Sequence, residues 1–359
     1  MAETAVTTQV VVLGVDTHQQ THHAAIVATD GRPLADREFP TTTAGYTQLW
    51  QWACGFGRVE DAAVESSASY GAGLTRMLTA EGVRVIEVNT PDLPRRYAHG
   101  KTDQLDAYAA AMAVITGRAT AVAKDTRGAV ESIRMLTVAR ASAVEEATRI
   151  GNQIRDLCTT APAEYADQAR QARTIAKRAA FIKDLPVPAE KADLSGPAAA
   201  FVRAARSLLD RHRLAQQQAR SLARELTRLL SKLVPTLLSR PQIGPITAAR
   251  LVITAGDNVE RMGTEARFAK LVGAAPLPAS SGKTSRHRLN RGGDRQANSA
   301  LHMIAVGRMK SHAPTRAYVE RRSAEHKTKK DILRCLKRYV IREVYHLIKI
   351  DPRTGEIRS

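Results

Sequence analysis

The sequence predicts an α/β domain followed by a mainly helical remainder. Two observations lead to this fold class. Short β-branched runs alternate with helical patterns over the first 125 residues, whereas Ala, Leu, Arg, Gln and Glu dominate from residue 126 onward with almost no strand pattern. Hydrophobic residues make up 43% of the 359 residues, which allows a sizeable core and argues against general disorder.

In the first third of the chain, strand and helix patterns follow one another in the order βββ-α-β-α-β-α. Apolar and β-branched runs bounded by turns predict strands at Val10–Val15, His22–Ala28, Leu34–Phe39, Asp61–Glu65 and Val83–Val88. Helical spacing of apolar residues predicts helices at Thr43–Phe56, Gly71–Glu81 and Gln104–Thr116. This order is compatible with an RNase H-like sheet, in which three antiparallel strands lead into parallel ones.

The spacing of apolar residues over 126–235 predicts a helical arm. Ala129–Leu157 and Gly196–Leu233 carry apolar residues at spacings of three and four, and prolines and glycine interrupt the pattern between them. We interpret the two segments as long antiparallel helices that form a coiled-coil-like arm. A plain spacer and a dimerisation element both fit this pattern.

Residues 236–359 predict a mainly helical C-terminal domain. A helix opens after the turn at Pro241–Pro245, which is typical of a helix-hairpin-helix element whose backbone amides, here near Gly244, contact DNA phosphates. An ordinary turn between two helices fits these residues equally well. The domain continues with a loop rich in glycine and serine at 273–293 and with helical patterns at Gln296–Lys310 and Lys330–Ile350.

Charge is distributed unevenly along the chain. There are 54 Lys and Arg residues against 35 Asp and Glu, a net charge of +19. Residues 1–120 contain 9 basic and 13 acidic residues, so the remainder carries a net charge of +23. A surplus of that size indicates a polyanionic partner, for which nucleic acid is the usual candidate.

Cysteine content and hydropathy favour a cytoplasmic location. Cys54, Cys158 and Cys335 lie far apart, which excludes a zinc ribbon and a disulfide framework and fits a reducing compartment. The N-terminus lacks the features of a signal peptide, and no apolar stretch approaches the ~18 residues of a membrane span.

Four acidic residues from three separate segments are candidate metal ligands. Asp16 and Glu65 each end a predicted strand, whereas Asp103 and Asp106 share one face at the start of a predicted helix. Capping of turns or of the helix would explain each acid singly. Two acids on one face repel each other unless a cation lies between them, and carboxylate oxygens suit Mg²⁺. The set therefore predicts a Mg²⁺ site for phosphoryl transfer.

The loop rich in glycine and serine offers a candidate nucleophile. Ser280 and Ser281 precede Gly282, and four cationic residues follow, namely Lys283, Arg286, Arg288 and Arg291. A serine in this setting could attack a phosphodiester while the cations offset the charge that develops on the phosphate. A flexible loop that only contacts phosphate fits the same residues.

Five motifs occur in an order that resembles a known family. They are Val12–Asp16, Glu65–Tyr70, Lys101–Ala107, Pro241–Pro245 and the loop from Pro276 to Gly282. Together they resemble the DEDD-type insertion-sequence transposases, which join a domain like the Holliday-junction resolvase RuvC to a C-terminal serine-bearing transposase domain and use a bridge RNA encoded by their own element. The resemblance covers essentially the whole chain. It departs from the family at Gln242, where the family usually has glycine.

The resemblance implies a division into three units and a set of roles. The units are a RuvC-like DEDD catalytic domain at 1–125, the arm at 126–235 and the transposase domain at 236–359. Asp16, Glu65, Asp103 and Asp106 would form the metal-binding tetrad. Ser281 would be the nucleophile that forms a phosphoserine link to DNA, with neighbouring Ser280 as the other choice.

The resemblance also implies partners. They are DNA at the element ends and at the target, a bridge RNA that guides the protein, and further copies of the chain in a dimer or tetramer. An oligomer is implied because the tetrad and the serine that work together are thought to come from different protomers.

Three other functions fit parts of the sequence. A metal-dependent junction nuclease would cleave by water attack, with the serine loop only binding phosphate. A non-catalytic nucleic-acid scaffold would tolerate the loss of all four acids. An actin-like sugar kinase or ATPase shares the pattern Val12–Thr17, but a second glycine-rich phosphate loop is missing from the sequence and the basic body would be unexplained.

Overall fold

The computed structural model describes residues 9–88, 102–187, 189, 194–279, 287–288, 290 and 292–349. Within these residues, helices and strands follow the order that the sequence predicts, with several further short elements. None of the described helices is both long enough and apolar enough to cross a membrane.

A five-stranded sheet forms the centre of the first part of the chain. Its strands are β1 (Val10–Thr17), β2 (Thr21–Ala28), β3 (Pro33–Pro40), β4 (Arg58–Glu65) and β5 (Arg84–Val88). They lie in the order β3-β2-β1-β4-β5. β2 is antiparallel to both of its neighbours, β1 and β3, and β4 and β5 run parallel to β1. The predicted mixed α/β sheet is confirmed.

Helices cover both faces of this sheet. They are α1 (Thr43–Cys54), α2 (Ala72–Ala80) and α3 (Asp103–Ile115). Side chains alternate between the faces of a strand. Leu13 of β1 therefore packs in one core with Leu49 of α1 and Leu74 of α2, whereas Val12 packs against Ala111 of α3 on the opposite face.

The arm contains four helices. They are α4 (Ala129–Thr159), α5 (Ala163–Gln171), α6 (Ile175–Asp184) and α7 (Pro197–Leu233). Ile150 of α4 packs near Leu209 of α7, and Ile133 packs in one cluster with Leu226, so the two long helices run antiparallel as predicted. The short helices α5 and α6, which the sequence analysis does not predict, close the far end of the arm around Ile182.

The remainder is mainly helical, as the sequence predicts. Its elements are α8 (Pro235–Leu238), α9 (Pro245–Ala255), a 3₁₀ turn (Val259–Met262), α10 (Glu265–Leu271), the short strands β6 (Leu277–Pro278) and β7 (His287–Arg288), α11 (Arg295–Ser311), α12 (Ala313–Ala324) and α13 (Lys329–Lys349). Its core takes in Ile133 and Leu226 at the base of the arm, which ties the arm firmly to this region.

A short extended segment links the sheet to the C-terminal region. Val122 bridges Ile86 of β5 and so extends the sheet at its edge. From the other side, Arg261 donates a hydrogen bond to the Val122 carbonyl oxygen (3.0 Å), and Asn258 donates one to the Ala123 carbonyl oxygen (2.8 Å). These contacts hold the sheet against the start of the C-terminal core.

Candidate active site

Asp16 and Glu65 end two neighbouring parallel strands. Val15 pairs with Val64, so the two acids follow next to each other at the carboxyl edge of the sheet. The Thr17 hydroxyl donates a hydrogen bond to the Glu65 carbonyl oxygen over 3.0 Å, which fastens the two strand ends together. The carboxyl ends of parallel strands are a common place for the functional groups of α/β proteins.

Gly14 brings α3 over the same edge. If Gly14 carried a Cβ, that atom would lie 2.1 Å from the Ala107 carbonyl oxygen and 2.8 Å from the Ala111 nitrogen. The backbones of β1 and α3 are therefore in direct contact, which only glycine allows. Because Asp16 lies two residues after Gly14, it shares the face that α3 covers.

The first turn of α3 carries Asp103 and Asp106 toward Asp16. Thr102 caps the helix, since its hydroxyl accepts a hydrogen bond from the Leu105 nitrogen over 3.2 Å. Asp106 is buried, with 5% of its surface exposed, whereas half of the Asp103 side chain is exposed. Two separate chain segments thus contribute carboxylates to one small region.

A three-residue group with metal-ligand spacing lies at this edge. The Nε2 atom of His18 lies 3.3 Å from Asp16 Oδ2 and 3.3 Å from Asp103 Oδ1. Ligand atoms of the three residues all lie within 4.8 Å of one another. Among the described residues, this is the group of acidic, His or Cys side chains that meets that spacing.

The sequence analysis missed His18. The signal was present, because His18 lies two residues after Asp16, and alternation along a strand that continues past Asp16 places both on one face. Two predicted ligands, Glu65 and Asp106, lie on this face beside the group but are not members of it.

The Asp16 carboxylate is buried and electrostatically unfavourable in the absence of a cation. Burial raises its pKa, His18 lowers it, and the nearby Asp103 and Asp106 raise it again, so that the pKa lies above its usual value. Asp16 Oδ2 is buried and accepts no well-aligned hydrogen bond from the described residues. An oxygen left in this state fits a divalent cation, which prefers carboxylate oxygen and would offset the neighbouring negative charge.

A second polar network fixes α3 against the sheet. Asp36 of β3 contacts His23 Nε2 (2.9 Å) and accepts hydrogen bonds from Gln104 Nε2 (2.6 Å) and the Tyr108 hydroxyl (3.1 Å). Burial raises the pKa of Asp36, but these hydrogen bonds outweigh that effect and the pKa falls below its usual value. Burial and the hydrogen bond to Asp36 raise the pKa of Tyr108 to about 12. The network connects β2, β3 and α3 beside the acidic group.

Most of the predicted serine loop lies outside the described residues. Ser280, Ser281, Gly282, Lys283, Arg286 and Arg291 belong to that part. Arg288 is described, is exposed, and pairs with Leu277 in the two-stranded ribbon of β6 and β7. Gly273 and Gly293 touch so closely that a Cβ at Gly293 would lie 2.2 Å from the Gly273 nitrogen. The two ends of the loop are thus held together.

The turn before α9 keeps a glycine-like shape despite Gln242. Gln242 has a φ of 63°, in the left-handed region that favours glycine. Buried Arg308 holds this turn by donating a hydrogen bond to the Pro241 carbonyl oxygen over 3.0 Å. Gly244 is exposed at the start of α9, with open space around its Cα. This geometry is compatible with the predicted phosphate contact.

A mixed sheet with carboxylates at its carboxyl edge, joined to a mainly helical remainder, is consistent with an RNase H-like transposase. Residues 13–161 match a family model described as Transposase, and residues 234–320 match one described as Transposase IS116/IS110/IS902 family. Together the two matches cover more than half of the chain. The chain belongs to the IS116/IS110/IS902 family of transposases.

One curated relative is an insertion element IS110 uncharacterized 43.6 kDa protein from Streptomyces coelicolor. It is 35% identical over 137 residues, which are 37% of this chain and 33% of the relative. The alignment thus spans about a third of the relative's length.

Proposed function

We propose that the protein cleaves and rejoins DNA strands during movement of an insertion sequence. The observation that carries this proposal is the group of Asp16, His18 and Asp103 at the carboxyl edge of the sheet, in a chain of a transposase family. The buried Oδ2 atom of Asp16, which accepts no well-aligned hydrogen bond from the described residues, supports use of a divalent cation, for which we propose Mg²⁺.

In this proposal the cation is held by four acidic side chains. Asp16 and Asp103, whose oxygens lie close together, would hold it, and Glu65 and Asp106 would complete the tetrad from the same face of the sheet. When bound, a divalent ion supplies charge stabilisation to the phosphate oxygens of the scissile strand.

Ser281 supplies the nucleophile in the proposed mechanism. Its Oγ forms a bond to phosphorus, one backbone P–O bond breaks, and the serine proton ends on the oxygen of the departing strand. The phosphoserine link keeps the energy of the phosphodiester, so the reverse attack by a strand hydroxyl rejoins DNA without ATP. Exposed Arg288, and the cations that flank the serine in sequence, would offset charge on the phosphate.

A guide RNA and a second copy of the chain complete the proposal. The net charge of +13 over residues 281–350 supports binding of more than one polyanionic strand. Met135 and Val138 on α4 are 57% and 58% exposed, and apolar side chains in such positions support a contact between copies along the arm.

Covalent trapping tests the proposal. Purified protein is incubated with Mg²⁺, end-labelled element-junction DNA and the RNA transcribed from the flank of the element, and the label is followed on a denaturing gel. We expect a protein–DNA adduct that Ser281→Ala and Asp16→Asn abolish and that the matched variant Ser280→Ala retains. Ser281→Ala should still bind both nucleic acids in a filter assay.

Two results would change the assignment. DNA cleavage without an adduct would replace the serine mechanism with water attack by a metal-dependent nuclease. An adduct that persists in Ser281→Ala and disappears in Ser280→Ala would move the nucleophile by one residue.

A further inference from the structure

The arm contains a cavity of about 460 Å³ between α4, α6 and α7 that is widely open to solvent. This volume falls within the range of small-molecule sites, which often lie between the helices of bundles. The lining residue nearest in sequence to the exposed apolar pair Met135 and Val138 is Val144, which follows Val138 by six residues, about 9 Å along a helix.

The charged side chains that line the cavity are all basic. Arg155, Arg178 and Arg220 line it from three different helices, and no Asp or Glu is among the lining residues. Arg155 forms an ion pair with the neighbouring Asp156 (3.0 Å). Among the described residues, no ion pair involves Arg178 or Arg220, and the buried Nε atom of Arg178 lacks a hydrogen-bond partner.

The arginines of the arm differ in their pairing. Arg149, Arg211, Arg213 and Arg228 each lie within ion-pair distance of a carboxylate on the arm, whereas Arg140, Arg173 and Arg224, like Arg178 and Arg220, form no ion pair with a described residue. At the cavity, Arg178 is half-buried and Arg220 is exposed, and an anion between them would offset the charge of both. Guanidinium groups bind phosphate oxygens with two parallel hydrogen bonds, which makes phosphate a well-matched anion.

A buried histidine also faces this space. His212 is 7% exposed, lines the cavity, and makes no hydrogen bond to a described residue. Burial and then the charge of Arg213 lower its pKa, so the ring is neutral near pH 7 and offers one donor and one acceptor. Opposite it, Gly151 leaves room: a Cβ there would lie 3.6 Å from His212 Nε2.

We propose that this cavity binds the phosphate group of a nucleotide, with the phosphate on Arg178 and Arg220 and the base or sugar against Val144 and Ile175. The apolar members of the lining suit the flat face of a base, and His212 and the polar side chains around it suit its edge. The nucleotide is either a free one or a unit of a nucleic-acid strand. This site goes beyond the proposed reaction, because it gives the arm a ligand of its own.

Calorimetric titration of the full chain tests the site with three probes, namely inorganic pyrophosphate, AMP and a ten-nucleotide single-stranded RNA. Arg178→Gln and Arg220→Gln should each weaken binding of AMP or pyrophosphate about tenfold or more. Arg224→Gln is the matched control. Arg224 is exposed one turn further along α7 and lies outside the cavity lining, and its substitution removes the same charge.

A second pair of variants tests the cavity without changing charge. Gly151→Met should project into the space and abolish binding, whereas Gly151→Ala should keep it, since a Cβ there makes only ordinary contacts of 3.6–3.9 Å. Thermal unfolding followed by circular dichroism verifies that each variant is folded.

The probes distinguish the two sources of the nucleotide. Binding of AMP that depends on both arginines indicates a free nucleotide. If only the RNA binds, hydrogen exchange should show protection of residues 148–155 and 175–178 that both arginine variants lose and Arg224→Gln keeps, which indicates a strand. The proposal is wrong if no probe distinguishes Arg178→Gln and Arg220→Gln from Arg224→Gln.

Discussion

Gly14 of β1 and Ala107 of α3 are in direct backbone contact, with 2.1 Å between the position of a Cβ at Gly14 and the Ala107 carbonyl oxygen. A backbone oxygen cannot move aside as a flexible side chain can. The contact therefore sets the height of α3 above the sheet, and with it the approach of Asp103 to Asp16.

Gly14→Ala should consequently displace α3. We expect a loss of about 1–3 kcal/mol in the free energy of unfolding, the usual cost of overpacking a core. We also expect a loss of Mg²⁺-dependent DNA cleavage under conditions in which the variant remains folded. Urea unfolding and the cleavage assay measure the two effects. Gly196→Ala is the control, because no atom lies within 4 Å of a Cβ at that position. Equal effects of the two substitutions would contradict the role of the contact.

Asp16→Asn should stabilise the cation-free protein. The pKa of Asp16 is raised in the folded state, so its ionised form opposes folding above the unfolded pKa of ~3.9. The advantage of the variant in EDTA should be present at pH 7, shrink as the pH falls through the raised folded pKa, and be gone below about pH 4. Mg²⁺ should raise the melting temperature of the wild-type protein and leave that of Asp16→Asn unchanged.

Thermal melts with Mg²⁺ and with EDTA measure this difference. Asp30→Asn, in the exposed turn between β2 and β3, is the control and should respond to Mg²⁺ as the wild-type protein does. A variant of Asp16 that is less stable in EDTA, or that still responds to Mg²⁺, would refute the cation site at this carboxylate.

His18→Ala should have the opposite effect in EDTA. The His18 ring lies between the Asp16 and Asp103 carboxylates, so its removal leaves them facing each other. We expect a lower melting temperature in EDTA and a smaller loss in Mg²⁺, since the cation then separates the carboxylates. His302→Ala, at an exposed position of α11, is the control. Equal losses with and without Mg²⁺ would show that His18 only packs there.

The strands of the sheet and the positions of its carboxylates can be predicted from sequence, because each depends on a pattern of residues that are close together in the chain. The sequence predicts a strand at Val10–Val15, and β1 runs from Val10 to Thr17. Alternation along a strand and the start of an amphipathic helix then place Asp16 and Asp103 correctly relative to their own elements. The strand β1 continues two residues beyond the predicted end at Val15, and His18 follows it directly into the site. The predicted strand ends too early to indicate this position for His18.

Other features depend on contacts that no local pattern specifies. Asp36 faces Gln104 and Tyr108 only because β3 and α3 meet, 68 and 72 residues apart in the chain. The cavity at Gly151 depends on how α6 lies across the two long helices. A glycine inside a long helix predicts a weak point in the helix rather than a cavity between helices.

Asp36→Asn should lower the free energy of unfolding by an amount that depends on pH. The folded pKa of Asp36 is lowered, so its stabilising effect is present above the unfolded pKa of ~3.9 and is lost as the pH falls through the lower folded value. The difference in urea midpoint from the wild-type protein should be largest at pH 7 and shrink below about pH 4. Asp167→Asn, at a side chain that is 89% exposed, should have little effect at any pH. A difference for Asp36→Asn that does not change with pH would contradict the network.

Arg308→Met should strongly destabilise the C-terminal region. Arg308 is 8% exposed, pairs with Glu343 over 2.7 Å and holds the Pro241 carbonyl oxygen. Its removal leaves that oxygen and part of the Glu343 charge unpaired, and we expect a loss of about 2–4 kcal/mol in the free energy of unfolding, measured with urea.

Arg240→Met is the matched control for Arg308→Met. Arg240 contacts the same Glu343 over 3.3 Å, but 45% of its side chain is exposed, and solvent screens such pairs to below about 1 kcal/mol. Because Arg308 also fixes the turn before Gly244, its substitution should weaken DNA binding more than the loss of one charge at Arg240 does. Equal effects of the two substitutions on stability and on DNA affinity would show that the turn does not depend on Arg308.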